Sequence, residues 1–459
     1  MRSAASAREG LRGAALPIFV VLLMVLGGGT RGAFWANAAL QMLSACAIAW
    51  CILDTGLPRL SRPARLLLGL FGCLMAVSLL QLVPLPAEIW SQLPGRETLA
   101  EDFSLFDEKV RALPLSLAPD DTMFGVFKFL PALAAFFLTS KLNPQRDLRP
   151  LCLCVLLTGT ASVLLGIAQM LTGREGGFYF FEITNWDQPV GFMANVNHQA
   201  SLLLMTLPFG AVLVSKLITD PAPGEHRIEF GLMVIGLLAS VVSGIMIAGS
   251  MTVYGLLIPV ILLSFLIGRA KSSGPLTLGT LFSVSLFIAG VALVVSSGPV
   301  GLGGLDLSQG TLSRPDTWAR TLDAIRATMP FGSGLGSFEW LFPHFEDPSQ
   351  VTSTFMNHAH NDYLELTLEY GLAGPLLLTG FFAWLVWRVV SIWRAPDTEP
   401  VRLQRAASVV LLIVVVHSCV DYPARTAAIS GLAGLCLGLM AACSDSPRGL
   451  LRSTGALVR

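Results

Sequence analysis

Apolar runs separated by short polar connections dominate the chain and set its expected architecture. The runs fall at roughly 14–29, 33–53, 65–83, 122–140, 150–172, 196–217, 229–249, 251–268, 277–297, 364–391, 404–420 and 425–443. Each approaches the ~20 residues that a helix needs to cross bilayer hydrocarbon. The pattern therefore predicts an all-α integral membrane protein of about 12 transmembrane helices. The tightest connection, Gly249-Ser250-Met251, leaves almost no loop. Two connections are long. Residues 84–121 carry Glu88, Glu97, Glu101, Asp102, Asp107, Glu108, Asp120 and Asp121, an acidic loop expected to hold short surface helices. Residues 298–360 begin with a glycine-rich turn at 298–304. Arg314-Pro315 then reads as a helix start with Pro at its first position, running to about Thr328. Gly332, Gly334 and Gly336 read as a flexible turn, and the whole loop as a folded functional cap. The expected organisation is helices one to three over 1–83, the acidic loop 84–121, helices four to nine over 122–297, the large loop 298–360, helices ten to twelve over 361–443, and a tail over 444–459.

Composition agrees with this pattern. Hydrophobic residues make up 53% of the chain and charged residues 13%, against about 25% charged in soluble domains. The formal net charge of zero says little; its distribution says more. On the twelve-span reading, the termini and alternate connections carry most of the Lys and Arg, which puts both termini in the cytoplasm. Arg2, Arg8 and Arg12 precede the first apolar run, and no small-residue cleavage site closes it, so it reads as an uncleaved span. The eight Cys lie in or beside apolar runs and read as packing residues. No Gly-Lys-Ser/Thr phosphate loop is present, which argues against an ATP-driven pump.

Polar chemistry gathers on the face opposite the termini. Asn357-His358-Ala359-His360-Asn361-Asp362 runs into Tyr363-Leu364-Glu365 at the threshold of an expected helix. Such groups persist beside lipid only when paired or facing a cavity. Asn195-Val196-Asn197-His198 opens another helix, and His417 to Arg425 joins the last two. Several plainer roles compete. His360 could cap a helix, and Asn361 or Asp362 could be an N-cap. Asp421 and Arg425, four apart, could form an ion pair. Lys128, inside a span, could snorkel to the interface. Arg314, Arg320 and Arg326 would point ~120° apart on a helix, so they could not share one anion. The two-residue spacing of His358 and His360 is poor for joint metal ligation.

At these residues the chain resembles the O-antigen ligase and Wzy-type polymerase superfamily of bacterial membrane glycosyltransferases. The resemblance rests on His360-Asn361-Asp362 with Gly371-Leu372-Ala373-Gly374, on Arg314 to Trp318 with Pro330 to Phe338, on Gly191 to His198, and on His417 to Arg425. It implies a GT-C-like membrane fold, an inner-membrane location and a site facing the periplasm. It implies transfer of glycan from an undecaprenyl-diphosphate lipid to another glycan, as a polymerase does, or to lipid A–core, as a ligase does. No metal or other cofactor and no nucleic acid are expected; the bilayer and a chain-length regulator are expected partners. His360 would be the base and Arg314 the diphosphate clamp. Arg425, His198, Asn197, Asn361, Asp421 and Lys128 would contact substrate. The family often has a Ser-Arg pair near the outer end of a central span. Here Ser250-Met251 stands there, so either another cation substitutes, with Arg425 and Lys128 the candidates, or donor binding differs. A transporter or flippase is the competing reading, but it would be expected to place its ionisable groups near the bilayer midplane.

Overall fold

The computed structural model describes residues 2–29, 33–55, 60–105, 112–143, 146–219, 227–269, 314–348 and 356–442. The expected span 277–297, the turn at 298–304, Cys443 and the tail 444–459 lie outside the described residues. The first helices are α1 (Arg2–Leu26), α2 (Phe34–Thr55) and α3 (Arg62–Leu80). The acidic loop follows, with β1 (Pro84–Pro86), α4 (Ala87–Trp90), α5 (Glu97–Leu105) and β2 (Ala112–Pro114). Next come α6 (Pro119–Phe127), α7 (Leu130–Leu138), α8 (Leu148–Thr172), α9 (Val196–Thr219), α10 (Arg227–Ala248) and α11 (Met251–Arg269). Beyond the undescribed stretch lie α12 (Arg314–Thr328), α13 (Phe338–Leu341), α14 (Asp362–Tyr370), α15 (Ala373–Arg394), α16 (Glu399–His417) and α17 (Ala427–Ala441). Nine described stretches are long and apolar enough to cross a membrane, and two further apolar helices are shorter.

Two expected spans are broken, each for a local reason. The span expected at 122–140 is α6 and α7, parted at Lys128-Phe129. Pro131 has no N–H for an intrahelical bond. The N–H groups of Lys128 and Phe129 turn instead to the carbonyls of Gly125 and Val126, three residues back. Together Pro119–Lys141 still has membrane length. The span expected at 364–391 divides at Gly371, whose φ of 57° ends α14. Only α15 beyond it is membrane-length.

Helices α9, α16 and α17 form the enclosed centre of the bundle, with α7, α8, α10 and α11 around them. Small residues permit close approach where no side chain would fit. A Cβ on Gly434 of α17 would sit 2.1 Å from the Ala132 carbonyl oxygen of α7.

The cap is stitched rather than slack. Gly332, Gly334 and Gly336, expected to flex, all have positive φ and pack tightly. A Cβ on Gly332 would lie 2.4 Å from Gly371 N, and one on Gly371 would lie 2.1 Å from the Pro330 carbonyl. The glycines of the two motifs are thus one backbone-to-backbone contact. Ser333 N–H donates to the Leu368 carbonyl and Gly334 N–H to that of Glu369. Gln81, at the end of α3, donates to the Glu369 carbonyl and accepts from Leu335 N–H. Fully buried Arg96 joins the acidic loop to this turn. It donates to the carbonyls of Pro94 (2.8 Å), Leu115 (2.6 Å) and Gly332 (3.1 Å). Burial pushes its guanidinium down to about 10.

Arg96→Ala would leave those carbonyls without their donor. It should destabilise the cap by about 2–4 kcal/mol. The expected readout is a lower thermal midpoint and faster proteolysis within residues 84–118. An unchanged midpoint and cleavage rate would show that other contacts hold the cap.

Candidate functional site

The α16–α17 connection carries an anion and a cation four residues apart, and they do not pair. Residues 418–426 are turns and a short 3₁₀ segment, so the i,i+4 geometry of an α-helix is absent. The expected Asp421–Arg425 ion pair is therefore replaced by two separate clusters.

Asp421 is fully buried. Its Oδ1 accepts the Tyr422 N–H at 2.9 Å. Around its carboxylate stand His360 Nδ1 at 3.4 Å, Arg314 at 3.5 Å, His198 Nε2 at 3.6 Å and His417 Nε2 at 3.7 Å. Asn197 Nδ2 donates to Oδ2 at 3.5 Å. Four elements distant in sequence thus converge on one carboxylate. The rings of His198 and His360 each meet the Tyr422 ring edge-on at 5.0 Å.

Local structure aims each group. Asn195 Oδ1 accepts the N–H groups of Asn197 and His198 and caps α9. Ser201 Oγ lies 2.6 Å from His417 Nδ1, which leaves Nε2 to face Asp421. His360 has a φ of 49°, a left-handed conformation that costs a non-glycine residue free energy. Its carbonyl accepts the Trp318 Nε1–H of α12 at 3.2 Å. The next residue, Asn361, is the N-cap of α14, accepting from Tyr363 and Leu364 N–H and donating to the Cys419 carbonyl. Asn361 is thus committed to capping, and Asp362 is not the cap. Side chains of His198, His417 and Asp421 are at most 1% exposed, whereas His360 is 23% and Arg314 36% exposed. His360 and Arg314 therefore touch the buried carboxylate and also reach the surface.

Arg425 has its own shell. Asp362, Glu365 and Glu369 share one face of α14 and lie 3.4, 3.0 and 2.9 Å from the guanidinium. Burial opposes the Arg425 charge, but Glu365 and Glu369 outweigh it and favour the protonated form. His358 Nδ1 lies 2.7 Å from Glu365, so the two histidines of this motif serve different anions. Gly336 N–H donates to Glu369 Oε1 at 2.8 Å, tying the glycine turn to this cluster. Arg425 is therefore neutralised and structural in setting. Lys128 and Arg425 line a cavity of about 20 Å³ with Asn37 and Gln41, room for one water. Met251 is exposed at the start of α11. A larger groove of about 530 Å³, between α1 and α8, has no wall residue from either cluster. Among the described residues, no group of three or more His, Cys, Asp or Glu is arranged to hold a metal ion. Among the described residues, no two cysteines form a disulfide.

Sequence reasoning named His360, Arg314, His198, Asn197 and Asp421, and the structure brings all five together. It missed His417, Tyr422, Glu365 and Glu369 as members of these clusters. Two spacings carried the signal: His417 lies four residues before Asp421, and Asp362, Glu365 and Glu369 recur at helical intervals.

Burial alone would raise the Asp421 carboxyl, but His198, His360 and His417 hold it well below the usual carboxylate range. Burial likewise works on Glu365, and Arg425 with His358 reverses it to a depressed value. A depressed carboxylate contributes stability that is present above its unfolded pKa, near 4, and lost as pH falls through its folded value. Thermal midpoints should therefore drop on acidification below about pH 4. Asp421→Asn and Glu365→Gln should each be less stable at pH 7 and show a shallower acid slope, by up to ~1.4 kcal/mol per pH unit. Equal acid slopes in wild type and variants would contradict the assignment.

A search of curated proteins found no match. Residues 234–379 match the family model described as O-antigen ligase. The matched segment contains Arg314, His360 and all of α14, and ends before His417, Asp421 and Arg425. The chain is thus similar to O-antigen ligases over residues 234–379, and its several membrane-length helices make it a multi-pass membrane protein by length and composition.

Proposed function

We propose that the protein transfers or polymerises undecaprenyl-diphosphate-linked glycans at the periplasmic face of the bacterial inner membrane, with His360 as base and Arg314 as diphosphate stabiliser. The observation that carries this reading is the paired access of these two residues. Both contact Asp421, at 3.4 and 3.5 Å, and both reach the surface. The charge distribution supports the orientation, because Lys and Arg are concentrated in the connections on the side of the termini.

The chemistry follows from the geometry. A neutral His360 that donates Nδ1–H toward Asp421 leaves Nε2 as an acceptor at the exposed edge. Asp421 orients the ring and stabilises the imidazolium, the role a buried carboxylate plays beside a catalytic histidine. Nε2 takes the proton of the acceptor hydroxyl as its oxygen attacks the anomeric carbon. The bond from that carbon to the diphosphate oxygen breaks, and its electron pair stays on the diphosphate. Arg314 presents a permanently charged, planar donor set to that growing charge. No metal is needed in this scheme. Asn197 and His198 shape the wall around Asp421. Arg425, enclosed by carboxylates, positions α14 and so the His360 backbone, and Lys128 is a further cation we assign to the diphosphate.

Purified full-length protein and lipid-linked donor test this directly. His360→Ala should lower kcat about 10²–10⁴-fold, and Arg314→Ala about 10²–10³-fold. His358→Ala, whose ring serves Glu365, should be milder. Wild-type transfer by His360→Ala would overturn the base assignment. Transfer should persist in a chelator; loss restored by added metal would contradict the scheme.

The acceptor is read from a deletion strain. The large outer loops incline the reading to a polymerase, for which single repeat units should persist without long polymer. Undecaprenyl-linked polymer accumulating beside unmodified lipid A–core would instead establish a ligase.

A further inference from the structure

Trp340 belongs to neither charged cluster. It lies in α13 and is 61% exposed. Its Nε1–H donates to Asp121 Oδ2 at 2.6 Å, a charge-assisted bond. The indole edge is thereby fixed while most of the side chain stays exposed. The ground beneath it is rigid. Ser337 carbonyl accepts the N–H groups of Trp340 (3.1 Å) and Leu341 (3.0 Å). Ser337 Oγ donates to the Gly334 carbonyl at 2.7 Å. Thr122, beside Asp121, donates to the Leu335 carbonyl at 2.8 Å. A Cβ on Gly336 would lie 3.0 Å from Asp121 Cβ, so the glycine turn packs tightly against the start of α6. The same turn runs on to Glu369 through Gly336 N–H, and Glu369 grips Arg425. A preset aromatic face is thus mechanically tied to the hairpin that carries Asp421.

We propose that Trp340 is a stacking platform for a pyranose ring of the glycan, with exposed Asp120, the neighbour of Asp121 in α6, accepting hydrogen bonds from ring hydroxyls. This rests on the glycan-transfer reading and adds a sugar subsite to it. A pyranose offers an apolar C–H face to an aromatic ring and donor hydroxyls at its rim, which matches an exposed indole held by a carboxylate. The competing role is an interfacial anchor, because Asp121 opens the membrane-length stretch Pro119–Lys141. A platform whose orientation is already fixed loses little entropy on binding.

Saturation-transfer NMR on the full chain in lipid nanodiscs tests the proposal, with a mixture of methyl pyranosides as probe. Wild type, Trp340→Tyr and His360→Ala should transfer saturation to the sugar C–H protons. Trp340→Ala should weaken it about tenfold, since base-type ring stacking is of that size. Trp340→Leu, which keeps apolar bulk and removes the ring, should weaken it equally. Undiminished transfer in Trp340→Ala and Trp340→Leu would overturn the platform. So would brominated-lipid quenching of the fluorescence that wild type has and Trp340→Phe lacks, because the ring would then sit in the membrane. Failure of this subsite is distinguishable from failure of the catalytic reading. Pyranoside binding that depends on Trp340 in a protein whose His360→Ala variant is fully active keeps the platform and removes the base. No Trp340-dependent binding alongside an inactive His360→Ala removes the platform and keeps the base.

Discussion

A buried anion and a largely enclosed cation on one short connection organise this end of the bundle. An isolated ion in such a place is prohibitively costly, so each must recruit compensation from elsewhere. The turn geometry of residues 418–426 keeps Asp421 and Arg425 from compensating each other. Asp421 therefore draws in His198 from α9, His417 from α16, and His360 and Arg314 from the segment before α14 and the start of α12. Arg425 draws in three carboxylates from α14. Because His360 immediately precedes the α14 cap, the second cluster sets the position of the first. The strained backbone at His360 is held by the same arrangement: α14 on one side and the Trp318 bond on the other.

Much of the fold was legible because bilayer length and apolar runs are strong signals, and helices occupy nearly all the expected stretches that the structure describes. The failures were local. Pro131 breaks a helix inside a long, mostly apolar run, and Gly371 does the same at the start of another. Periodicity averages over such positions, so a run alone does not show them. The glycine turn read as flexible because glycine permits freedom. Its real reason is contact: Gly332 and Gly371 occupy positions where a methyl group would collide with backbone.

The polar site was legible in its members more than in its pairings. His360, His198 and Asp421 stood out because polar groups at a membrane threshold need partners, and Arg314 through the family resemblance. Which partner each would take depended on connections that are not helical. Spacing suggested Asp421 with Arg425, and the chain instead pairs Asp421 with histidines and Arg425 with acids. Once α14 is known to be a helix, the face shared by Asp362, Glu365 and Glu369 follows from its period.

The central claim is that Asp421 and His360 act as one unit. A double-mutant cycle on kcat for glycan transfer, using Asp421→Asn and His360→Ala, tests it most directly. If Asp421 works through His360, the double variant should be no slower than His360→Ala alone. Losses that multiply would contradict the account, because they would mean that the two residues act independently.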